Sequence, residues 1–192
     1  KYIQYAILII SFNVFGLFKS KYKKINWVIG VDEIAKIIYL LTNLLGNTHT
    51  VSLSKNPFYS HLKYDSQNKF SNKHISYLYR AIVGPFLLGY LLNKSDKFLY
   101  VWDSGFLFDR EIEFKFLKAK NKKIVCMFLG SEIRSLKLTR ELYLKLNYDG
   151  YANYISRVNN EERVKESARI ADLYADVIFG SKFDQMSYVK SK

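Results

Sequence analysis

The sequence predicts an α/β protein in which helices flank a parallel β-sheet and a hydrophobic helix precedes the sheet. Short apolar runs alternate with longer segments of helical periodicity, which is typical of βαβ units. Two of these runs, residues 98–102 and 124–129, are apolar throughout, as expected of parallel strands covered on both faces. The chain has 192 residues and is 49% hydrophobic, which suffices for one globular core.

The N-terminal segment is apolar and ends in a basic cluster. Residues 2–18 carry no charge and are followed by four lysines within 19–24. A membrane-spanning helix needs about 20 apolar residues, so a span, a helix lying in the membrane interface and a helix docked on the domain are all open. The lysines predict that the domain faces the cytoplasm. We expect residues 1–24 to associate with the membrane and residues 25–192 to form the domain.

Within the domain, five strands are predicted to alternate with helices. Short apolar or alternating runs predict strands, and apolar residues that recur every three or four positions predict helices. The predicted strands span 26–30, 49–54, 98–102, 124–129 and 176–180. The predicted helices span 31–45, 75–93, 109–121, 140–146 and 159–174, and a last helix begins at 183.

Three of these segments carry further expectations. The connection 55–73 is long, and connections of this length are usually functional or mobile. The helix at 75–93 is apolar nearly all round, so we expect it to be buried or to face a membrane, with a kink at Gly84-Pro85. Asn159 is expected to cap the helix that follows it, with Glu162 three residues on.

Composition excludes several classes of protein. The single cysteine, Cys126, lies in an apolar run, which indicates a core residue and excludes a disulfide framework. The three histidines have no Cys or His at metal-ligand spacing, so we expect no metal site. We also expect no cofactor, because the chain lacks the GxGxxG, Walker A, HExxH and GxSxG motifs.

The net charge indicates an anionic partner. Lysine and arginine outnumber aspartate and glutamate by 30 to 17, a formal charge of +13. Such a charge attracts membrane lipid, phosphorylated substrates or nucleic acid. Most aromatic residues lie inside apolar runs, where core packing explains them, so we do not expect nucleic acid. A lysine-rich composition that only keeps the protein soluble is the alternative.

The candidate site lies at the carboxyl ends of the strands, because ligands of open parallel sheets bind there. Several of these ends combine small residues, which let a substrate approach the backbone, with carboxylates. The alternative is that glycine and serine stand there because turns require them. The candidate substrate-binding residues are Gly30, Ser104, Gly105, Gly130, Ser131, Arg134 and Ser181, and the candidate catalytic carboxylates are Asp32, Asp103 and Glu132.

Four segments of the chain share a pattern with a known family. They read NWVIGVDEIA, FLYVWDSGFL, KKIVCMFLGSEIR and ADLYADVIFGS. Their succession over residues 24–192 resembles the N-terminal, acceptor-side domain of bacterial GT-B glycosyltransferases, especially polysaccharide and capsule-type enzymes. The most specific element is residues 130–134, similar to a GS-acid-x-Arg segment that follows a central strand in many of these enzymes. The resemblance implies a Rossmann-like domain that is one half of a GT-B fold.

The resemblance also implies an activity. Enzymes of this family transfer a sugar from a nucleotide-sugar to a glycan or lipid-linked acceptor, usually without a divalent metal. The N-terminal domain holds the acceptor and the C-terminal domain holds the donor. The chain contains no second Rossmann unit and no ExxxxxxxE donor motif. We therefore expect donor binding to need a C-terminal domain, the chain alone to be inactive, and the enzyme to work at the cytoplasmic face of the membrane.

The strand-end carboxylates receive candidate roles from this reaction. An inverting enzyme needs a base that takes the proton of the acceptor hydroxyl. Asp103 is the first candidate because it ends a central strand, and Asp32 and Glu132 follow. In a retaining enzyme these carboxylates would only bind sugar hydroxyls. Arg134 is expected to pair with Glu132 or to meet a phosphate.

Two alternatives stay open at the level of the sequence. The first is a non-enzymatic, membrane-tethered module whose basic face binds anionic lipid or nucleic acid. The second is a methyltransferase or another Rossmann enzyme with a small cofactor, although a glycine-rich first turn is missing. A second α/β domain downstream would favour the glycosyltransferase over both.

Overall fold

The protein is a three-layer α/β structure with a parallel sheet in the middle. The computed structural model describes residues 1–54, 57–59, 61–130, 132–148, 161–180 and 188–190. Its helices are α1 (Tyr2–Gly16), α2 (Ile37–Leu45), α3 (Lys73–Leu92), α4 (Arg110–Ala119), α5 (Leu136–Lys145) and α6 (Glu161–Tyr174). Its strands are β1 (Trp27–Val31), β2 (Thr48–Ser52), β3 (Ser66–Gln67), β4 (Lys97–Val101), β5 (Lys123–Met127) and β6 (Val177–Phe179).

All strand pairs in the described residues are parallel. The strand order is β3-β2-β1-β4-β5-β6, so the direction of winding reverses between β1 and β4. This is the order of doubly wound Rossmann-like sheets, in which ligands bind in the crevice at the point of reversal. The α/β fold with an N-terminal helix, expected from the sequence, is confirmed.

The core is divided between the two faces of the sheet, because side chains alternate along each strand. On one face Tyr100 and Cys126 pack with residues of α3 and α4, among them Leu88 and Phe114. On the other face Ile29, Leu99 and Val125 pack with Ile38 of α2. Cys126 is fully buried, as predicted for a core residue.

Helix α1 is docked along α3 through close contacts and polar side chains. A Cβ at Gly89 would lie 2.0 Å from Ser11 Oγ, so only glycine allows this approach of the two helices. Gln4 donates to the Ala81 carbonyl, and Asn93 donates to the Phe12 carbonyl. Among the described helices, α3 is long and apolar enough to cross a membrane, and 33% of its apolar stretch is buried. Core helices of soluble proteins meet the same criterion.

Helix α3 continues through Gly84-Pro85 without interruption. A Cβ at Gly84 would lie 2.2 Å from the Phe106 carbonyl oxygen, so this glycine lets α3 touch the loop that follows β4. Asn72 caps the start of this helix, because its side chain accepts hydrogen bonds from the amides of His74 and Ile75. Contact with both α1 and the β4 loop places α3 beside the carboxyl edge of the sheet.

Several predicted boundaries differ from the observed ones. β1 runs to Val31, and α2 begins at Ile37, because Ala35 and Lys36 have positive φ angles of 52° and 61° and cannot continue a helix. The connection 55–73 contains β3, and α5 begins at Leu136 rather than at 140. The predicted cap at Asn159 and most of the helix predicted from 183 lie outside the described residues.

Candidate functional site

The loop after β4 forms the centre of the carboxyl edge. The Asp103 side chain is 2% exposed, and its Oδ2 accepts from Arg163 Nε at 2.8 Å and from Ser167 Oγ at 3.4 Å. Both partners come from α6. Asp103 Oδ1 is also buried and has no hydrogen-bond partner among the described residues. A buried carboxylate oxygen without a donor is rare in folded proteins and is available to accept one.

The backbone just before Asp103 is strained. Trp102 has a φ of 71°, in the left-handed region that bulky residues avoid. Its amide still donates to the Met127 carbonyl at 3.0 Å, so the sheet holds it in this conformation. Strained residues of this kind cluster at functional sites, where the surrounding structure holds them in place. Sequence spacing gives no signal of such an angle, and Trp102 was not among the predicted site residues.

The buried carboxylate of Glu113 accepts a hydrogen bond from the same loop. Glu113 of α4 is fully buried, and it accepts from the Tyr100 hydroxyl at 2.5 Å and from the Leu107 amide at 2.8 Å. Burial raises the pKa of Glu113 above its ordinary value, while these hydrogen bonds and the charge of Arg110 oppose the rise. A Cβ at Gly105 would lie 2.5 Å from Glu113 Oε2. The space that Gly105 leaves is therefore filled by Glu113.

Arg80 of α3 connects the ends of β1 and β4. Its Nη1 lies 3.9 Å from Asp32 Oδ2, and its Nη2 donates to the Gly105 carbonyl at 2.7 Å. Asp32 Oδ1 is buried and has no hydrogen-bond partner in the described part of the chain. The connection crosses the point where the winding of the sheet reverses. Arg80 was not predicted from the sequence, since it lies in the middle of an apolar helix.

Glu132 supplies a third carboxylate, from the turn after β5. Its Oε1 accepts from the backbone amides of Leu129 and Gly130, and its Oε2 is buried with no hydrogen-bond partner among the described residues. Burial raises the pKa of Glu132, backbone N–H donors oppose this, and the negative charge of Asp103 adds to the rise. A Cβ at Gly130 would lie 3.8 Å from Glu132 Oε2 and 3.9 Å from the Trp102 ring. The ends of β4 and β5 are thus neighbours.

The other predicted site residues are placed less centrally. Gly30 lies inside β1, where a Cβ would meet the Val51 carbonyl oxygen at 3.0 Å, so sheet packing accounts for this glycine. Arg134 is half-buried in the connection to α5. Ser131 and Ser181 lie outside the described residues. For all of these residues, a role in substrate binding stays a prediction.

A cavity of about 260 Å³ opens beside Asp103. It is lined by Arg80, Arg163, Ser104, Gly105 and Ser167, together with Arg110 at the start of α4. The lining joins three predicted site residues, Asp103, Ser104 and Gly105, to arginines from three helices. Those arginines are far apart in the sequence, so no local motif could have indicated them.

A second cavity, of about 360 Å³, lies at the ends of β2 and β3. Residues 59, 61–64 and 67–69 of the connection form much of its wall, and Glu33 is also part of the lining. Glu33 accepts from the amides of Ile38 and Tyr39 and from the Tyr64 hydroxyl, so its carboxylate caps α2. The functional role expected for this connection stays a prediction.

No group of His, Cys, Asp and Glu in the described residues is arranged to hold a metal ion. The fold defines a Rossmann-like α/β protein, and Asp32, Asp103 and Arg80 lie at the reversal point of its sheet. Comparison of the chain with models of protein families, with curated proteins and with solved structures found no match.

Proposed function

We propose that the chain is the acceptor-binding half of a GT-B-type glycosyltransferase that moves a sugar from a nucleotide-sugar to a glycan or lipid-linked acceptor. The observation that carries the proposal is the set of three carboxylates at the carboxyl edge of β1, β4 and β5. Asp32, Asp103 and Glu132 each have a buried oxygen without a hydrogen-bond partner among the described residues. Sugar hydroxyls are donors that would satisfy such oxygens.

Asp103 is the proposed base. Arg163 and Ser167 bind one of its oxygens and fix the carboxylate, while the other oxygen is left to accept a proton from the acceptor hydroxyl. Glu132 is the second candidate, because a raised pKa brings a carboxylate closer to the working pH of a general base. Asp32, held near Arg80, is proposed to accept a hydrogen bond from the sugar.

The proposed location is the cytoplasmic face of a membrane. Helix α1 has 15 residues and is therefore about 22 Å long, shorter than the roughly 30 Å of a bilayer core. Its polar inner face is engaged by α3. Both helices expose large apolar side chains, and so does Leu17 directly after α1. On the helices these are Ile3, Ile10, Val14, Ile75, Leu78, Ile82 and Phe86. These features support a helix pair that lies in the membrane interface.

The donor is proposed to bind a separate C-terminal domain. The connection from β1 to α2, residues 32–36, reads DEIAK and has no glycine-rich turn to hold a diphosphate. The buried carboxylate of Glu33, in this connection, already accepts hydrogen bonds from the amides of Ile38 and Tyr39 at the start of α2. An anionic phosphate would be repelled from that helix end, which supports the division of labour between two domains.

The test is sugar transfer by the chain joined to its downstream domain. The Asp103→Asn substitution should leave folding intact and lower turnover by about a hundredfold or more, as loss of a general base does. Asp96→Asn is the matched control, because Asp96 is exposed at the opposite edge of the sheet and pairs with Lys122. Full turnover by a folded Asp103→Asn protein would remove Asp103 as the base, and no transfer to any acceptor by the wild type would refute the function.

A further inference from the structure

Three arginines from three different helices line the cavity beside Asp103. Arg80 belongs to α3, Arg110 to α4 and Arg163 to α6. The carboxylates in the same lining are Asp103 and Glu166. Glu166 forms an ion pair at 2.7 Å with Arg169, which is not part of the lining. Arg163 forms an ion pair with Asp103, and Arg80 lies 3.9 Å from Asp32. Among the described residues, Arg110 is therefore the lining arginine that forms no ion pair with a carboxylate.

Arg110 is the most unusual of the three. It is 6% exposed, and its guanidinium packs against the rings of Phe114 and Phe128 at 4.8 Å and 5.5 Å. Nη2 donates to Cys126 Sγ at 3.2 Å, but Nε and Nη1 are buried and have no hydrogen-bond partner among the described residues. Buried donors are nearly always satisfied, because an unpaired one costs free energy. An anion in the cavity that Arg110 lines would satisfy one of them, since the two N–H groups point in different directions.

The guanidinium of Arg80, which also lines the cavity, likewise has a donor without a hydrogen-bond partner among the described residues. Its Nη2 is fixed by the Gly105 carbonyl, and its Nε is buried without a hydrogen-bond partner in the described residues. Its side chain is 18% exposed and lies beside the Phe108 ring at 5.8 Å. Two fixed guanidiniums with spare donors suit the oxygens of a phosphoryl group, which arginine binds through paired hydrogen bonds.

We propose that this cavity is a binding site for a phosphoryl group, namely the diphosphate that joins an acceptor to its lipid carrier. Arg80 and Arg110 hold the oxygens, and Arg163 adds charge while it binds Asp103. The assignment to a lipid-linked acceptor rests on the proposed function, whereas the binding of a diphosphate does not. Asp103 lies in the same lining, so the bound phosphoryl group would set the distance of the acceptor from the base.

The surroundings favour a lipid as the source of the diphosphate. Phe108 lines the cavity. Phe108 stacks on Tyr77 of α3 at 4.6 Å, and Tyr77 precedes the exposed apolar residues Leu78 and Ile82. An apolar chain attached to the diphosphate could therefore follow the exposed face of α3 towards the membrane.

Titration calorimetry with the whole chain tests whether the cavity binds a diphosphate and whether that diphosphate belongs to a lipid. Inorganic pyrophosphate should bind, farnesyl diphosphate should bind at least tenfold more tightly, and uridine diphosphate should bind no more tightly than pyrophosphate. The reverse order, with uridine diphosphate tightest, would overturn the lipid assignment in favour of a nucleotide. No binding of any diphosphate by the folded wild type would overturn the site itself.

Substitutions locate the binding. Arg80→Gln and Arg110→Gln should each weaken pyrophosphate binding about tenfold or more, since hydrogen bonds to charged groups are strong. Arg110→Lys should be intermediate, because it keeps the charge and loses the paired donors. Arg140→Gln, on the exposed face of α5, is the matched control and should bind as the wild type does.

Arg110 is buried, so thermal unfolding must show that its variants are folded. If Arg110→Gln does not fold, the test depends on Arg80→Gln and Arg110→Lys. Unchanged affinity for pyrophosphate in both of these variants would refute the site. The transfer assay separates the two proposals. Pyrophosphate binding without any sugar transfer would refute the glycosyltransferase proposal and support the diphosphate site. Sugar transfer without any diphosphate binding would support the glycosyltransferase and refute the diphosphate site.

Discussion

Gly105 and Glu113 share the space beneath the loop that carries Asp103. The sequence predicts Gly105 as a residue that lets a substrate approach the backbone. The structure shows a second reason for glycine, because Glu113 Oε2 fills the position next to its Cα. The loop is thus supported from inside the core, by a carboxylate that also accepts from Tyr100 and Leu107. Its conformation is fixed before any ligand arrives.

Gly105→Ala should therefore destabilise the fold. The added Cβ would lie 2.5 Å from Glu113 Oε2 and 3.3 Å from the Leu107 carbonyl oxygen, and Glu113 cannot move without losing its hydrogen bonds. We expect a loss of about 1–3 kcal/mol in the free energy of unfolding, as overpacking in a core typically costs. Gly130→Ala is the control, because its Cβ would make only ordinary contacts at 3.8 Å and 3.9 Å. Urea denaturation measures both, and equal stability of the two variants would contradict the packing role of Gly105.

Glu132 predicts a dependence of stability on pH. Burial raises its pKa in the folded state above the ordinary 4.5, so the folded state holds the proton more tightly than the unfolded state. The stability that this provides is fully present below pH 4.5 and is lost as the pH rises through the raised pKa. Glu132→Gln keeps an acceptor for the amides of Leu129 and Gly130 and does not titrate. Relative to this variant, the wild type should become less stable as the pH rises from 4.5 to 8.

Urea denaturation at a series of pH values checks this expectation. Glu141→Gln, at an exposed position on α5, provides the control for a general change in charge. A difference between wild type and Glu132→Gln that is constant with pH, or that grows in favour of the wild type, would contradict the raised pKa.

At the scale of residues, the sequence predicts the carboxylates of the site but not their partners. Asp32, Asp103 and Glu132 follow apolar strands, and parallel strands bring their carboxyl ends to one edge. Arg80 reaches this edge from the middle of α3 and Arg163 from the first turn of α6, and nothing in the local spacing of the sequence marks either arginine as a site residue. The φ angle of Trp102 is a result of tertiary packing and leaves no trace in the sequence.

At the scale of elements, strands with a strong apolar pattern are predicted correctly, whereas a strand without one is not. β4 and β5 are continuous apolar runs and were found with nearly correct bounds. β3 was missed because it has only two residues, both polar, and pairs with β2 at the edge of the sheet. Asp65, just before it, accepts from the Thr50 amide and hydroxyl, so side-chain hydrogen bonds rather than apolar burial hold this strand in place.

The pair of helices α1 and α3 predicts how the protein meets a membrane. Ile10 of α1 is 63% exposed and Ile82 of α3 is 50% exposed, so both would enter the membrane interface. The double substitution Ile10→Glu with Ile82→Glu should weaken binding to vesicles of mixed phosphatidylglycerol and phosphatidylcholine about tenfold or more, because it removes buried apolar area and adds repelled charge. Vesicle co-sedimentation measures the effect.

Leu144→Glu is the matched control for this experiment. Leu144 is 68% exposed but lies on α5, away from the helix pair, so its substitution should leave vesicle binding unchanged. Release of the wild type by high salt alone would indicate surface attraction through lysines such as Lys23 and Lys24. Equal binding by the double variant and the wild type would refute the α1–α3 face as the contact surface.

At the scale of the whole molecule, the order of the strands determines where a ligand can bind. The order β3-β2-β1-β4-β5-β6 opens a crevice between the ends of β1 and β4, and Arg80 crosses it from Asp32 to the Asp103 loop. The sequence predicts parallel strands, but the order follows from how the helices distribute over the two faces. That distribution is decided by long-range packing, such as the contact of α3 with both α1 and Phe106.

The same architecture predicts that the chain alone recognises no nucleoside. The β1–α2 connection has no glycine-rich turn, and Glu33 already occupies the amides at the start of α2, so the usual phosphate position of a Rossmann-like domain carries a negative charge. A nucleotide-sugar should therefore bind no more tightly than inorganic pyrophosphate, through the arginine cavity alone, and the identity of the base should not matter. Calorimetric titration with uridine, guanosine and cytidine diphosphate sugars measures this, and the chain joined to the proposed donor-binding domain is the positive comparison. Micromolar binding that discriminates among the bases would show that the chain holds its own donor site, and the division of labour between two domains would then be wrong.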